Sequence, residues 1–278
     1  MNSIEELKTD NFEHFSFDIQ GNKSKAEGTA RHFTEFLLDS NFDMVYLPGG
    51  VFEMGSPEDE LESFDNERPV HKVNIEPFFI GKYPVTQNLW KEVMGNNPSH
   101  FQGTEKPVEG ISWSHAYHFC AFLQALTKKS YRLISESEWE YACRGGTNTP
   151  YYTGHHINKD MANFNLLGSM SEGKAFSLNE TTNVGSYPPN PFGLYDMCGN
   201  VWEWCADVGH VDYSKTSTSQ INVSEPCIEL QDMTPWVLRG GSWDNKARTM
   251  RSANRFKSCA TNRFSTLGFR VALSANNV

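Results

Sequence analysis

No G-x-x-x-x-G-K-[ST] loop, no G-x-G-x-x-G after a strand, no G-x-S-x-G elbow and no H-E-x-x-H helix occurs in this chain of 278 residues. The common signatures of phosphate-cradling, dinucleotide-binding, acyl-transfer and zinc-peptidase sites are therefore missing. Cysteine is sparse and unpaired: Cys120, Cys143, Cys198, Cys205, Cys227 and Cys259 form no C-x-x-C pair and no zinc-ligand spacing. Long apolar runs are missing too, since none approaches the roughly 20 residues of a membrane-spanning helix. Met1 is followed by polar and acidic residues rather than by a basic and then an apolar segment. The expectation is no secretory signal, no membrane partner, a cytoplasmic location and reduced thiols. Cys120 and Cys143 lie on apolar stretches and read as small core residues. Basic charge is also short. With 24 Lys and Arg against 34 Asp and Glu, the net charge of −10 argues against a general nucleic-acid binder.

What is present is an irregular, aromatic-rich chain. Residues 1–42 are polar and charged, and read as an N-terminal extension with one short helix over Ala30 to Leu38, where Phe33, Phe36 and Leu37 share a side. Residues 43–275 read as one domain, rich in Gly, Pro, Trp and Phe. Strands are expected at Met44–Leu47, Val70–Ile75 and Phe78–Ile80, each bounded by turn residues such as Pro48-Gly49-Gly50. One helix is expected from about Ser114 to Lys128, with Ser112 or Ser114 as its cap. A second runs from Ser135 to Cys143, where Ser135 and Glu138 make a capping box and Gly145-Gly146 ends it. Glu136, Glu138 and Glu140 could pass for acid/base carboxylates. Glu138 already has a capping role, and Arg132 and Arg144 lie near, so a structural role is the simpler reading. Seven tryptophans supply anchors for the irregular backbone.

Several segments occur in a fixed order: Pro48-Gly49-Gly50-Val51-Phe52-Glu53-Met54-Gly55-Ser56, Tyr83-Pro84-Val85-Thr86-Gln87 and Pro107-Val108-Glu109-Gly110-Ile111-Ser112-Trp113. Tyr131-Arg132-Leu133-Ile134-Ser135-Glu136-Ser137-Glu138-Trp139 follows, then Gly193-Leu194-Tyr195-Asp196-Met197-Cys198-Gly199-Asn200-Val201-Trp202-Glu203-Trp204. Leu238-Arg239-Gly240-Gly241-Ser242-Trp243 and Gly268-Phe269-Arg270-Val271 close the series. Together they resemble the formylglycine-generating enzyme, or sulfatase-modifying factor, family. The resemblance implies an α+β fold of the C-type-lectin type, with few helices, short strands and much irregular structure.

The resemblance also divides the functional expectations. The aerobic oxidase of the family is similar to a copper-thiolate enzyme, with two cysteines shortly after the Gly-Gly-Ser-aromatic turn. Those positions fall here on Asn245 and Met250, so no copper and no formylglycine formation are expected. An iron-dependent branch places its histidines in an H-x-x-x-H-x-E pattern, whereas His115 and His118 are three apart. A third branch binds rather than catalyses, and includes variable proteins of diversity-generating retroelements. This chain resembles it in reading Arg239-Gly240-Gly241-Ser242-Trp243, then a cluster, then Arg251-Ser252-Ala253-Asn254-Arg255, further clusters, and Gly268-Phe269-Arg270. The ligand-facing positions implied are Asp244, Asn245, Lys246, Thr249, Phe256, Ser258, Cys259, Phe264, Ser265 and Thr266. Randomising the adenines of an Asn codon reaches every one of these residue types except Lys246. The expected function is a non-catalytic ligand-binding protein with a variable C-terminal surface over 239–270 and a protein or other macromolecule as partner. The alternative is an oxidoreductase of the same family with a divergent active site. The segment from Asp196 to Glu203 resembles the family's calcium loop, which implies Asp196, the carbonyls of Gly199 and Val201, and Glu203 as ligands of calcium.

Overall fold

The computed structural model describes residues 7–166, 177–214 and 234–277. Cys227 lies outside them. Fifteen strands and helices are described there, joined by long irregular stretches. In chain order they are β1 (Lys8–Phe17), β2 (Lys23–Phe36), β3 (Asn41–Leu47), β4 (Gly50–Met54), β5 (His71–Ile75), β6 (Phe78–Gly81), α1 (Gln87–Met94) and α2 (Trp113–Thr127). They continue with β7 (Arg132–Leu133), α3 (Glu136–Arg144), β8 (Trp202–Val208), β9 (Pro235–Arg239), β10 (Arg255–Cys259), β11 (Leu267–Gly268) and β12 (Val271–Ser274).

A six-stranded sheet in the order β1-β2-β3-β6-β12-β7 divides the molecule. Successive side chains of a strand point to opposite faces, and both faces here are covered. Met44, Phe79, Val271 and Leu273 enter one apolar cluster, with Trp113, Phe119 and Leu123 of α2. Val45, Phe78, Ile80 and Ala272 enter the other, with Trp139, Ala142 and Cys143 of α3. The first and last described strands lie in this sheet, β1 at its edge beside β2 and β12 between β6 and β7. A four-stranded sheet, β10-β9-β8-β11, carries the C-terminal segment.

Both expected helices form where their caps predict. Ser112 accepts from the His115 N–H, and Ser135 from the Glu138 N–H; in each case the third residue returns the bond, so two free N–H groups are satisfied at each end. Helix α1 was not read from the sequence. Thr86 caps it and Gly95 closes it in the left-handed region at φ 76°.

The N-terminal expectation is corrected. Residues 30–36 are strand, not helix, and the stretch from Lys8 to Phe36 is built into the main sheet rather than standing apart as an extension. β1 and β2 form a hairpin, and β2 pairs with β3 from His32 opposite Val45 to Phe36 opposite Asn41. The helix-like spacing of Phe33, Phe36 and Leu37 misleads because β2 is buried on both faces. Ala30 enters one cluster and Phe33 the other, where its ring meets Phe79 edge-on at 5.1 Å. A strand covered on both sides loses the apolar–polar alternation that would mark it. Phe36, the supposed third member of the helical face, is 68% exposed.

Candidate functional site: the C-terminal surface

Residues 239–270 alternate between a buried frame and an exposed set. The frame is held by guanidinium–carboxylate forks. Arg251 donates to both oxygens of Glu67 at 2.7 and 2.6 Å, and to Glu60 at 2.8 Å. Arg255 grips Glu136 through Nε and Nη2, both at 2.7 Å. Arg270 grips Glu203 at 2.7 and 2.6 Å. Arg239 donates to Glu140 and to the carbonyls of Ala253 and Asn254 at 2.8 and 2.5 Å. Such paired forks fix position as well as charge. They also give Glu136, Glu138 and Glu140 structural work: Glu136 holds Arg255, Glu138 pairs with Arg132, and Glu140 bridges Arg144 and Arg239.

Two glycines are required in the frame. Gly241 sits at φ 73°, and a Cβ there would meet the Met250 Cε at 2.3 Å. A Cβ on Gly268 would come within 2.7 Å of the Val108 carbonyl oxygen. Trp204 is fully buried and donates to the Ile111 carbonyl at 3.1 Å.

None of the ten predicted ligand-facing residues is buried. Asp244, Lys246, Phe256 and Phe264 are exposed, and Asn245, Thr249, Ser258, Cys259, Ser265 and Thr266 are half-buried. Arg251 to Arg255, between them, are all buried. Phe256 and Phe264 are 58% and 55% exposed, which removes the reading of both as core.

Two tryptophans hold three members of the set, Phe256, Ser265 and Thr266. Trp202 lies beneath Phe256 with ring centroids 5.7 Å apart, and its N–H donates to the Thr266 carbonyl at 2.8 Å. Trp243 donates through Nε1 to the Ser265 carbonyl at 3.1 Å. Asn262 bonds Ser258 at 2.8 Å. Lys246 and Thr249 stand apart on the turn of 3-10 helix that begins at Ala247, where the Thr249 hydroxyl donates to the Lys246 carbonyl. The sequence reading missed Lys257, Thr261 and Arg263, which are exposed on the same segment. Their signal was their position between buried frame residues.

The positions that a copper oxidase would fill with thiolates hold no thiol. Asn245 is a carboxamide whose Oδ1 accepts from the Ser242 hydroxyl at 2.6 Å. Met250 is a thioether fully buried in the core. Cys120, Cys143, Cys198 and Cys205 are buried free thiols, while Cys259 is half-exposed on β10.

The loop from Asp196 to Glu203 carries oxygen donors of the kind calcium takes. Left-handed backbone at Asp196, Gly199 and Asn200 (φ 55°, 82° and 64°) turns it back on itself. Asp196 is buried, its Oδ2 accepts the Gly185 N–H at 2.7 Å, and burial pushes its carboxyl up to about 6 despite that bond and the nearby Asn200 amide. Glu203, whose charge adds to that rise, keeps acceptor capacity on Oε1. That oxygen takes one donor from Arg270, while Oε2 takes two, from Arg270 and Trp139. Two neighbouring buried carboxyls sharing one guanidinium are under-compensated, and a hard divalent cation fits that deficit. Asp196 and Glu203 with the carbonyls of Gly199 and Val201 would hold it. Among the described residues no group of three or more His, Cys, Asp or Glu side chains could hold a metal ion.

Comparisons with known proteins agree with this architecture. The chain is 33% identical over 261 residues to the serine/threonine-protein kinase pkn1 of Chlamydia pneumoniae, covering 84% of this chain and 38% of the relative; the chain thus spans well under half of that protein's length. It is 28% identical to the inactive C-alpha-formylglycine-generating enzyme 2 of Bos taurus, covering 84% of this chain and 88% of that one. Treponema denticola variable protein 1 superposes with a TM-score of 0.71 at 26% identity, over 87% of this chain and 99% of that one. The fold is thus the formylglycine-generating-enzyme type of C-type-lectin fold. The family model of the sulfatase-modifying factor enzyme 1-like domain matches residues 29–275, and the chain belongs to that family.

Proposed function

We propose that this chain is a non-catalytic binding module whose exposed C-terminal set contacts a protein or other macromolecule. The observation that carries the reading is the segregation just described. Every residue of the predicted contact set lies outside the core, on a frame whose arginines and glycines are buried. A surface built this way can change its side chains without losing the packing that holds it. The similarity to a variable protein supports the finer reading, that the segment is diversified, as does the codon argument. The alternative oxidoreductase reading has less support, because the two thiolate positions hold Asn245 and Met250.

Incubating the pure protein with copper and a peptide carrying the sulfatase cysteine motif separates the two. We expect no formylglycine above a copper-only blank, and product above that blank would overturn the reading.

Calcium at the Asp196 loop belongs to the same proposal, as a structural ion beneath the surface. A ligand that binds only the folded state at about 100 times its Kd adds about 2.7 kcal/mol. For a chain of this size that is about 5–10 °C in melting temperature. The expected result is a rise of that order in calcium over EGTA. An unchanged melting temperature would remove the ion.

A further inference from the structure

A second feature lies beside the exposed set. A shallow open cleft of about 400 Å³ is lined by Pro98, His100, Glu109, Gly110, Arg263 and Ser265. Its walls come from two distant parts of the chain and are tied together. The Arg263 Nε donates to the Gly110 carbonyl at 3.0 Å, and the Gly110 N–H donates to the Phe264 carbonyl at 3.0 Å. Gly110 itself is left-handed at φ 70°.

Glu109 is the unusual member. It is 0% exposed. Its Oε1 accepts the Phe101 N–H at 2.7 Å, and its own N–H donates to the Ser99 hydroxyl at 3.1 Å, so the side chain is fixed. Its Oε2 is buried and accepts no hydrogen bond of good geometry, although the neighbouring His100 N–H lies near enough to moderate the carboxyl's rise. Burial raises this carboxyl above its ordinary range. A buried carboxyl oxygen left without a donor costs free energy unless a ligand or water supplies one. Across the same cleft, Nη1 and Nη2 of Arg263 make no hydrogen bond to the protein among the described residues, its Nε alone being used. A free guanidinium edge takes a carboxylate.

We propose that this cleft is a binding site for a free α-amino acid, whose ammonium would donate to Glu109 and whose carboxylate would meet Arg263. Each half of the site excludes the simpler ligands. A plain carboxylate would leave the Glu109 Oε2 without a donor, and a plain ammonium would leave the free edge of Arg263 unpaired. An α-amino acid carries both charges on neighbouring atoms and answers both. The cleft is of the size that holds a small molecule rather than a length of folded chain. Of the contact set only Ser265 lines it, and neither charged group of the proposed site belongs to that set, so the inference does not rest on the macromolecular reading above. Loss of that reading would leave it standing.

The full chain is screened by thermal shift against the twenty common L-amino acids. The best binder is then titrated calorimetrically beside its carboxamide and the matching acid without the amino group. We expect saturable binding of at least one amino acid, with both analogues at least about tenfold weaker, equivalent to about 1.4 kcal/mol. Arg263→Ala, at an exposed position, is expected to weaken the amino acid by about tenfold or more with its melting temperature kept. Glu109→Gln is expected to erase the preference over the acid lacking the amino group. If that variant does not fold, the analogue series and Arg263→Ala decide alone. Absence of any saturable binder, equal binding of either analogue, or an unaffected Arg263→Ala would overturn the proposal.

Discussion

Replacing Phe256 or Phe264 by Ala is expected to weaken partner binding by about 2–4 kcal/mol, roughly thirtyfold to a thousandfold. Stability is expected to change by under about 1 kcal/mol. The two rings are more than half exposed, and Phe256 is held from below by Trp202. A rigid aromatic offered to solvent gives much contact area for little lost freedom, and a macromolecular interface concentrates its energy in such residues. The partner would be isolated on immobilised protein, purified, and titrated against the wild type and both variants, with urea unfolding run in parallel. Single substitutions at Asp244, Lys246, Ser258 and Ser265 are expected to leave stability within about 0.5 kcal/mol, as surface changes usually do. Unchanged affinity in both phenylalanine variants would remove the binding surface. So would a stability loss of about 3–5 kcal/mol in both, the signature of a core aromatic.

The frame is expected to behave in the opposite way. Arg239→Met should cost about 3–5 kcal/mol, the typical result of removing one partner of a buried ion pair. Arg239 is fully buried; its loss strands the carbonyls of Ala253 and Asn254 and takes one of two guanidinium partners from Glu140. Total stabilities of about 5–15 kcal/mol leave little margin for such a loss, so the melting temperature should fall by about 6–20 °C. Chemical denaturation followed by tryptophan fluorescence measures it. A change under about 1 kcal/mol would mean that the fork does not hold the segment in place.

The division between these two outcomes was partly legible in the sequence. The capped helices were readable because Ser112, Ser135 and Glu138 act on backbone groups within three residues of themselves. The exposed set was readable because the flanking Arg-Gly-Gly-Ser-Trp and Gly-Phe-Arg segments fix what is buried. The strand β2 was not, because its two buried faces belong to two different clusters and only the tertiary structure shows that. The cleft was equally hidden. Glu109 and Arg263 are brought to one cleft by the bond from Arg263 to the carbonyl of Gly110, 153 residues away in sequence. No local pattern encodes which carboxyl will lose its partner on burial.

The forks of the frame also fix an order in time. Arg239, Arg251, Arg255 and Arg270 all lie near the end of the chain, and their carboxylates Glu140, Glu67, Glu136 and Glu203 lie 99, 184, 119 and 67 residues earlier. During synthesis the carboxylates emerge first, and domains fold from the N-terminal side as the chain lengthens. The last arginines therefore arrive at carboxylates already made. Contacts of such long sequence separation form late and slowly. The proposed contact surface therefore rests on contacts between the last forty residues of this sequence and carboxylates far earlier in it, so its geometry depends on the whole domain being in place.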